Sequence, residues 1–391
     1  MDAPLPVAPL LVLGLVVVGF ALAAPLTAAL VRLGHRAGAL DSAGAAGHAK
    51  ELRRVPNIGG VAIVAAVAVP LALAMVAALV LGQDRLAQAA PAIASSVRRL
   101  PEALPAAGAI LVGMLCLHAV GLVDDRRALP ALPKLAAQLV VALGTVLAGD
   151  IRVLHFIDAS VGGPWLGIAL SALWIVALVN SLNFLDNMDG LSGGTGLIAA
   201  AALCIAATIA KQWMTAGMLA LLAGALLGFL LFNFPWTRGR TARIFMGDGG
   251  SLVVGYLLAT LSMQIVYTAP EQEGYALGTH WYGIFTPLVV LAVPLYDTGT
   301  VVGLRLLQRR SPMVGDQQHF SHRLVMRGLS RRGAVLLICA LAGVCGVGGL
   351  LLGTSAPWQA ALIALQTGIV LLTIAALERP MLAQMQADAR K

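Results

Sequence analysis

The chain has 391 residues, 59% of them hydrophobic and 11% charged, with a mean hydropathy of +0.88 and a formal net charge of +8. Soluble domains carry about 25% charged residues, so this composition excludes a water-soluble globular surface. It also excludes nucleic-acid recognition, which needs a soluble basic face. Repeated apolar runs of about 20 residues are the length of a membrane-crossing helix, whereas a barrel would show short alternating segments. The expected class is an all-α polytopic membrane protein embedded in the lipid bilayer.

Taken in order, the apolar runs predict eleven spans, at 7–30, 57–82, 105–123, 132–149, 164–182, 193–210, 215–233, 250–268, 282–304, 333–353 and 358–377. The first follows Met1-Asp2-Ala3 without a basic leader region and reads as a retained span, not a cleaved signal. One set of connections is then 31–56, 124–131, 183–192, 234–249, 305–332 and the tail 378–391. With Lys134 counted beside the second of these, that set holds 21 of the 26 Lys and Arg, and the opposite side holds Arg85, Arg98, Arg99, Arg152 and Lys211. The positive-inside rule makes the basic set cytoplasmic. That places the N-terminus outside and the C-terminus inside, in a cytoplasmic (inner) membrane. Segment 83–104 reads as an external loop with a surface helix, and 150–163 as a short hairpin. The four cysteines lie in apolar stretches without metal-ligand spacing and read as packing residues. No repeat, low-complexity tail or separate soluble domain interrupts residues 1–391, which read as a single membrane domain.

Polar chemistry collects on the basic side. Asn180-Ser-Leu-Asn183-Phe-Leu-Asp186-Asn187-Met-Asp189-Gly190 sets five amides and carboxylates between two apolar runs. Such residues also make ordinary turns, yet at a hydrocarbon edge they need a partner, a metal or a water-filled site. Gly121-Leu-Val-Asp124-Asp125 pairs two carboxylates that either meet neighbouring arginines at a solvated helix end or act as a general base or a phosphate- or metal-handling pair. Lys134 and Gln138 follow one helical turn apart. Phe245-Met-Gly-Asp248-Gly-Gly-Ser251 opens the eighth span. Its glycines suit backbone approach to phosphate, and Asp248 suits a bridging Mg²⁺, although Asp248 or Ser251 could equally serve as a helix cap. Asp297 lies inside a span with Arg305 two turns on. His319 and His322, three apart with Arg323 beside them, either belong to an amphipathic basic loop lying on anionic lipid or bind an anionic diphosphate, which they fit better than a transition metal. Acids for Mg²⁺ and bases for phosphate in one compartment are the components of phosphoryl transfer.

Five motifs in this order resemble the polyprenyl-phosphate N-acetylhexosamine-1-phosphate transferases, the group with WecA, TagO and MraY branches. They are Arg54-Val-Pro56-Asn-Ile-Gly59-Gly60, Gly121 to Asp125 with Lys134 and Gln138, Asn180 to Leu191, Phe245 to Ser251, and Asp316-Gln-Gln-His319-Phe-Ser-His322-Arg323-Leu. The resemblance implies transfer of a sugar-1-phosphate from a UDP-sugar to undecaprenyl phosphate with release of UMP. That is the first membrane step of cell-envelope polysaccharide synthesis. It implies Mg²⁺, with Mn²⁺ as a substitute, on Asp248 with Asn183 and Asp186 nearby, and a cytoplasmic active site. It gives Asp124 and Asp125 the lipid phosphate, Asp124 deprotonating or orienting the attacking oxygen and Lys134 pairing with the phosphate. It lines a uridine pocket with Asp189, Asn233 and a stacking Phe245, adds Asn180 to the substrate site, and gives His319, His322 and Arg323 the sugar-phosphate end. Ser321 stands where the family often has a histidine. The spelling of this last motif is nearer the WecA/TagO branch than the MraY branch, which takes a muramoyl-pentapeptide. A different class, a cation-coupled transporter, would place acids at mid-span beside broken helices. The spans leave room for a homodimer interface that no residue marks.

Overall fold

The computed structural model of the chain describes residues 7–37, 55–89, 91, 94–237, 239–268, 276–307 and 320–388, with backbone alone for 37, 95, 96, 157 and 378–388. Its helices in order are α1 (Val7–Ala37), α2 (Gly60–Ala89), α3 (Ala94–Arg98), α4 (Leu100–Arg126), α5 (Ala131–Gly149), α6 (Asp158–Val161), α7 (Trp165–Leu185) and α8 (Leu191–Ile209). They continue with α9 (Trp213–Asn233), α10 (Asp248–Gln264), α11 (Thr286–Val290), α12 (Ala292–Leu307), α13 (Phe320–Met326), α14 (Arg331–Leu352) and α15 (Pro357–Asp388). No strand occurs among the described residues.

All eleven expected spans are occupied by helix, but not all in the expected form. Among the described residues nine helices, α1, α2, α4, α5, α7, α8, α9, α14 and α15, are long and apolar enough to cross a membrane. This is a multi-pass membrane protein. Its outer faces are apolar, with Val140, Leu147, Leu173 and Leu372 each more than half exposed, as lipid contact requires. The run at 282–304 is a bent pair, Trp281–Val290 and Ala292–Leu307 meeting at 68°. Pro294 supplies the break, since it has no N–H to offer the carbonyl one turn back. The run at 250–268 begins earlier, at Asp248, and has 17 residues, about 26 Å of helix.

α10 is the axis of the bundle. Every residue from Gly249 to Ser262 is buried, and α2, α4, α7, α8 and α9 all pack against it. A helix apolar on all sides belongs at such a centre. Two glycines let its first turn be approached at backbone distance. A Cβ on Gly121 of α4 would lie 2.4 Å from Gly249 N, and one on Gly60 of α2 would lie 2.4 Å from Gly250 N. Gly121→Ala is therefore expected to force α4 from α10 and destabilise the fold by about 2 kcal/mol. Gly144→Ala on α5, where a Cβ meets nothing within 4 Å, serves as the control. Thermal unfolding in detergent measures both, and equal midpoints for the two variants would contradict the packing argument.

One connection carries the expected surface helix and more helix besides, and another differs in form from expectation. The segment 83–104 is largely helical, because α2 continues past a non-helical Gly82 (φ 74°, ψ 158°) to Ala89 before α3 and α4 begin. The segment 150–163 forms no hairpin, but a 3₁₀ turn (His155–Ile157) and α6. The Arg152 guanidinium donates to Asp150 and Asp158, each at 2.9 Å, and gathers the segment inward. Val153 N–H, which a hairpin ladder would use, donates instead to Ser171 Oγ on α7 at 2.9 Å.

Candidate active site

The polar ends of α4, α5, α7 and α10 meet at one end of the bundle. α4 stops at Arg127, which is extended (φ −142°, ψ 102°), and Pro130 starts α5 three residues later. Asp124 Oδ1 accepts the Leu129 N–H at 2.6 Å and closes that turn. Lys134 in the first turn of α5 is thereby brought back over Asp124, and its Nζ donates to Asp124 Oδ2 at 2.7 Å. The same ammonium donates to Asp248 Oδ2 at the start of α10. Asn183, near the end of α7, gives its Nδ2 to Asp248 Oδ1 at 2.9 Å and to Ser251 Oγ at 3.0 Å. Lys134, Asp124 and Asp248 are 15%, 13% and 28% exposed at their side chains, so the cluster is sheltered but reachable.

The start of α10 has no cap of its own. Gly247 precedes it at φ 71°, and neither Asp248 nor Ser251 caps it. The cap comes from α4, where Asp125 accepts the Asp248 N–H on Oδ1 at 2.9 Å and the Gly249 N–H on Oδ2 at 3.1 Å. Asn57 Nδ2 donates to the same Oδ1 at 2.9 Å. Gly247 is required twice, for its backbone angle and because a Cβ there would lie 2.6 Å from Asp125 Oδ2. A carboxylate against helix N–H groups is favourable, so Asp125 is largely committed to aiming Asp248. Asp124 and Asp248 are left sharing one ammonium.

The other sequence-predicted residues surround this cluster at different removes. Asn180 donates to Gln138 Oε1 on α5 at 2.6 Å, bracing α7 against α5. Asp186 is the C-terminal cap position of α7. Asp189 Oδ2 accepts the Ala242 N–H at 3.0 Å. Asn233 is buried, with both ends of its amide engaged by backbone: Oδ1 accepts from Gly190 N at 2.8 Å and Nδ2 donates to Ile244 O at 2.9 Å. These bonds fold the 234–247 connection back over the α7–α8 turn. Phe245 is half-buried, and its backbone pairs with the first loop: its N–H donates to Pro56 O at 2.8 Å and its carbonyl accepts from Gly59 N at 2.9 Å.

α13 carries a half-buried His322 and a buried Arg323; His319 lies outside the described residues. Asp297 Oδ1 accepts the Phe320 N–H at 3.0 Å, and Ser321 Oγ donates to Asn187 Oδ1 at 2.7 Å. The buried serine therefore ties α13 to the α7–α8 turn. Sequence reasoning gave no role to Asn57, although it lay in a quoted motif, and overlooked His118 of α4, whose Nδ1 lies 2.7 Å from Gly249 O.

Among the described residues no three His, Cys, Asp or Glu side chains converge as a complete protein cage for a metal. Two carboxylates already share one cation, however. Mg²⁺ characteristically takes one or two carboxylates and completes its shell with water and substrate phosphate. The donor set fits that habit.

Residues 107–266 match the family described as glycosyl transferase family 4, a stretch that includes Asp124, Asp125, Lys134, Asn183 and Asp248. The chain is similar to a probable undecaprenyl-phosphate N-acetylglucosaminyl 1-phosphate transferase of Bacillus subtilis, 30% identical over 64% of this chain and 67% of the relative. It is 34% identical to a decaprenyl-phosphate N-acetylglucosaminephosphotransferase of Mycolicibacterium smegmatis, over 61% and 62% of the two chains. It is 27% identical to an undecaprenyl-phosphate alpha-N-acetylglucosaminyl 1-phosphate transferase of Escherichia coli, over 59% and 62%. The matched region thus spans about two thirds of these relatives' length.

Proposed function

The chain belongs to glycosyl transferase family 4, and from that premise we propose that it transfers N-acetylglucosamine 1-phosphate from its UDP derivative to a polyprenyl phosphate, releasing UMP. The observation that carries this reading is the Asp124–Lys134–Asp248 cluster at the entrance of a centrally buried helix. The names of the relatives support the acceptor and the sugar.

In this reading an oxygen of the acceptor phosphate attacks the β-phosphorus of the donor. The new P–O bond forms as the bond between that phosphorus and the oxygen bridging to the α-phosphate breaks, and UMP leaves. Asp124 and Asp248 are the residues that would hold Mg²⁺. Asn183 supports Asp248 by donating its amide nitrogen, and its amide must turn over before its oxygen can serve as a ligand. When bound, the ion neutralises diphosphate charge and stabilises the leaving group. Lys134 gives the acceptor phosphate an ammonium to pair with, and Asp124, hydrogen-bonded to that ammonium, orients the attacking oxygen. Asp125 keeps Asp248 aimed. Positioning supplies most of the rate. We favour this direct route; trapping a phospho-aspartate on the enzyme would overturn it. The excess of Lys and Arg in the connections on one side of the spans supports a cytoplasmic active site and an external N-terminus in the inner membrane.

A transporter reading would draw on the bent α11–α12 pair and its buried Asp297. That carboxylate is engaged in holding α13 by the Phe320 N–H, which favours a scaffold role. Purified protein with Mg²⁺, undecaprenyl phosphate and a panel of UDP-sugars tests the proposal. UMP is expected with UDP-N-acetylglucosamine, and no UMP with any donor would sink it.

A further inference from the structure

A carbonyl oxygen can only accept, so the contact of His118 Nδ1 with Gly249 O at 2.7 Å makes Nδ1 the donor and fixes the proton there. Gly249 is thus held at both polar ends by α4, its N–H by Asp125 and its carbonyl by His118. The holding residues form one stripe. His118, Gly121, Leu122 and Asp125 follow at i, i+3, i+4 and i+7, the spacing of a single helix face. Gly121 opens that face to the backbone of α10, and Leu122 closes the space over Gly249, where an added Cβ would lie 3.1 Å from its Cδ2.

We propose that His118 is a positioning residue which, with Asp125, fixes the first turn of α10 and so sets the direction of the Asp248 carboxylate toward a divalent cation. Asp248 immediately precedes the clamped peptide, so rotation of that turn swings its side chain relative to Lys134 and Asn183. The proposal rests on the reading of Asp248 as a cation-holding residue.

The test exploits the ring's geometry. In Asn the amide nitrogen overlies Nδ1 of histidine; in Gln it overlies Nε2. Binding of Mn²⁺ to the purified full chain is followed by loss of the free-ion electron paramagnetic resonance signal, without substrates. His118→Gln is expected to weaken binding about 10-fold, the scale of a lost outer-shell hydrogen bond, whereas His118→Asn restores it to within about twofold with an unchanged melting midpoint. Asp248→Asn should abolish the binding. Native Mn²⁺ affinity in His118→Gln alongside loss in Asp248→Asn overturns the positioning role. Equal weakening in the Gln and Asn variants also overturns it, reducing His118 to packing. Native affinity in Asp248→Asn removes the cation reading itself.

Discussion

Asp248→Asn is expected to lower turnover on the order of 10³-fold, about 4 kcal/mol of transition-state stabilisation, with the bundle still folded. The substitution is isosteric. An asparagine oxygen can still accept from Asn183, and the backbone N–H that Asp125 receives is untouched. The loss is one negative charge at the point where Lys134 and, in the proposed reaction, Mg²⁺ need it. UMP release at saturating donor and acceptor measures the effect, and the thermal midpoint controls for folding. Turnover within a few-fold of wild type would remove Asp248 from the chemistry.

The architecture was legible because hydrocarbon dictates it. Apolar runs of span length leave the backbone no choice but helix, and a helix now lies over each expected run. The bend near Leu291 was present in the sequence as Pro294. The centrality of α10 was not, since its run resembled its neighbours, and burial by five other helices is a property of the assembled bundle. The site divides in the same way. Asp124, Lys134, Asn183 and Asp248 stood out as polar residues at span ends, where such groups are costly without a purpose. Asp125 looked like a second copy of Asp124, but the N–H it accepts lies 123 residues away, and no local pattern announces a cap supplied by another helix. His118 carries no sequence signal at all: it is a single polar residue in an apolar span, and its partner, the Gly249 carbonyl, lies 131 residues away. The Asn180–Gly190 stretch proves to work in several directions: Asn183 toward Asp248, Asn187 toward α13, and Asp189 toward the 234–247 connection.

Removing the shared cation gives the second large effect. Lys134→Gln leaves Asp124 and Asp248 facing one another with no ammonium between them, and turnover is expected to fall on the order of 100-fold. Breaking a fully buried pair costs about 3–5 kcal/mol. These groups retain some solvent, 15% at Lys134 and 28% at Asp248, so about 2 kcal/mol of lost stability is the reasonable scale. The double variant Lys134→Gln/Asp124→Asn should recover part of that stability, because one of the opposed charges is gone, while activity stays low. If the two carboxylates also form the divalent-ion site, Mg²⁺ should raise the melting midpoint of Lys134→Gln more than that of the wild-type protein. The reason is linkage: a ligand stabilises the fold by its affinity for the native state, and the variant site has lost the ammonium that competes with the ion. A Lys134→Gln protein that is destabilised but indifferent to Mg²⁺ would mean that the ammonium serves the fold alone, and the divalent ion would have to be sought elsewhere.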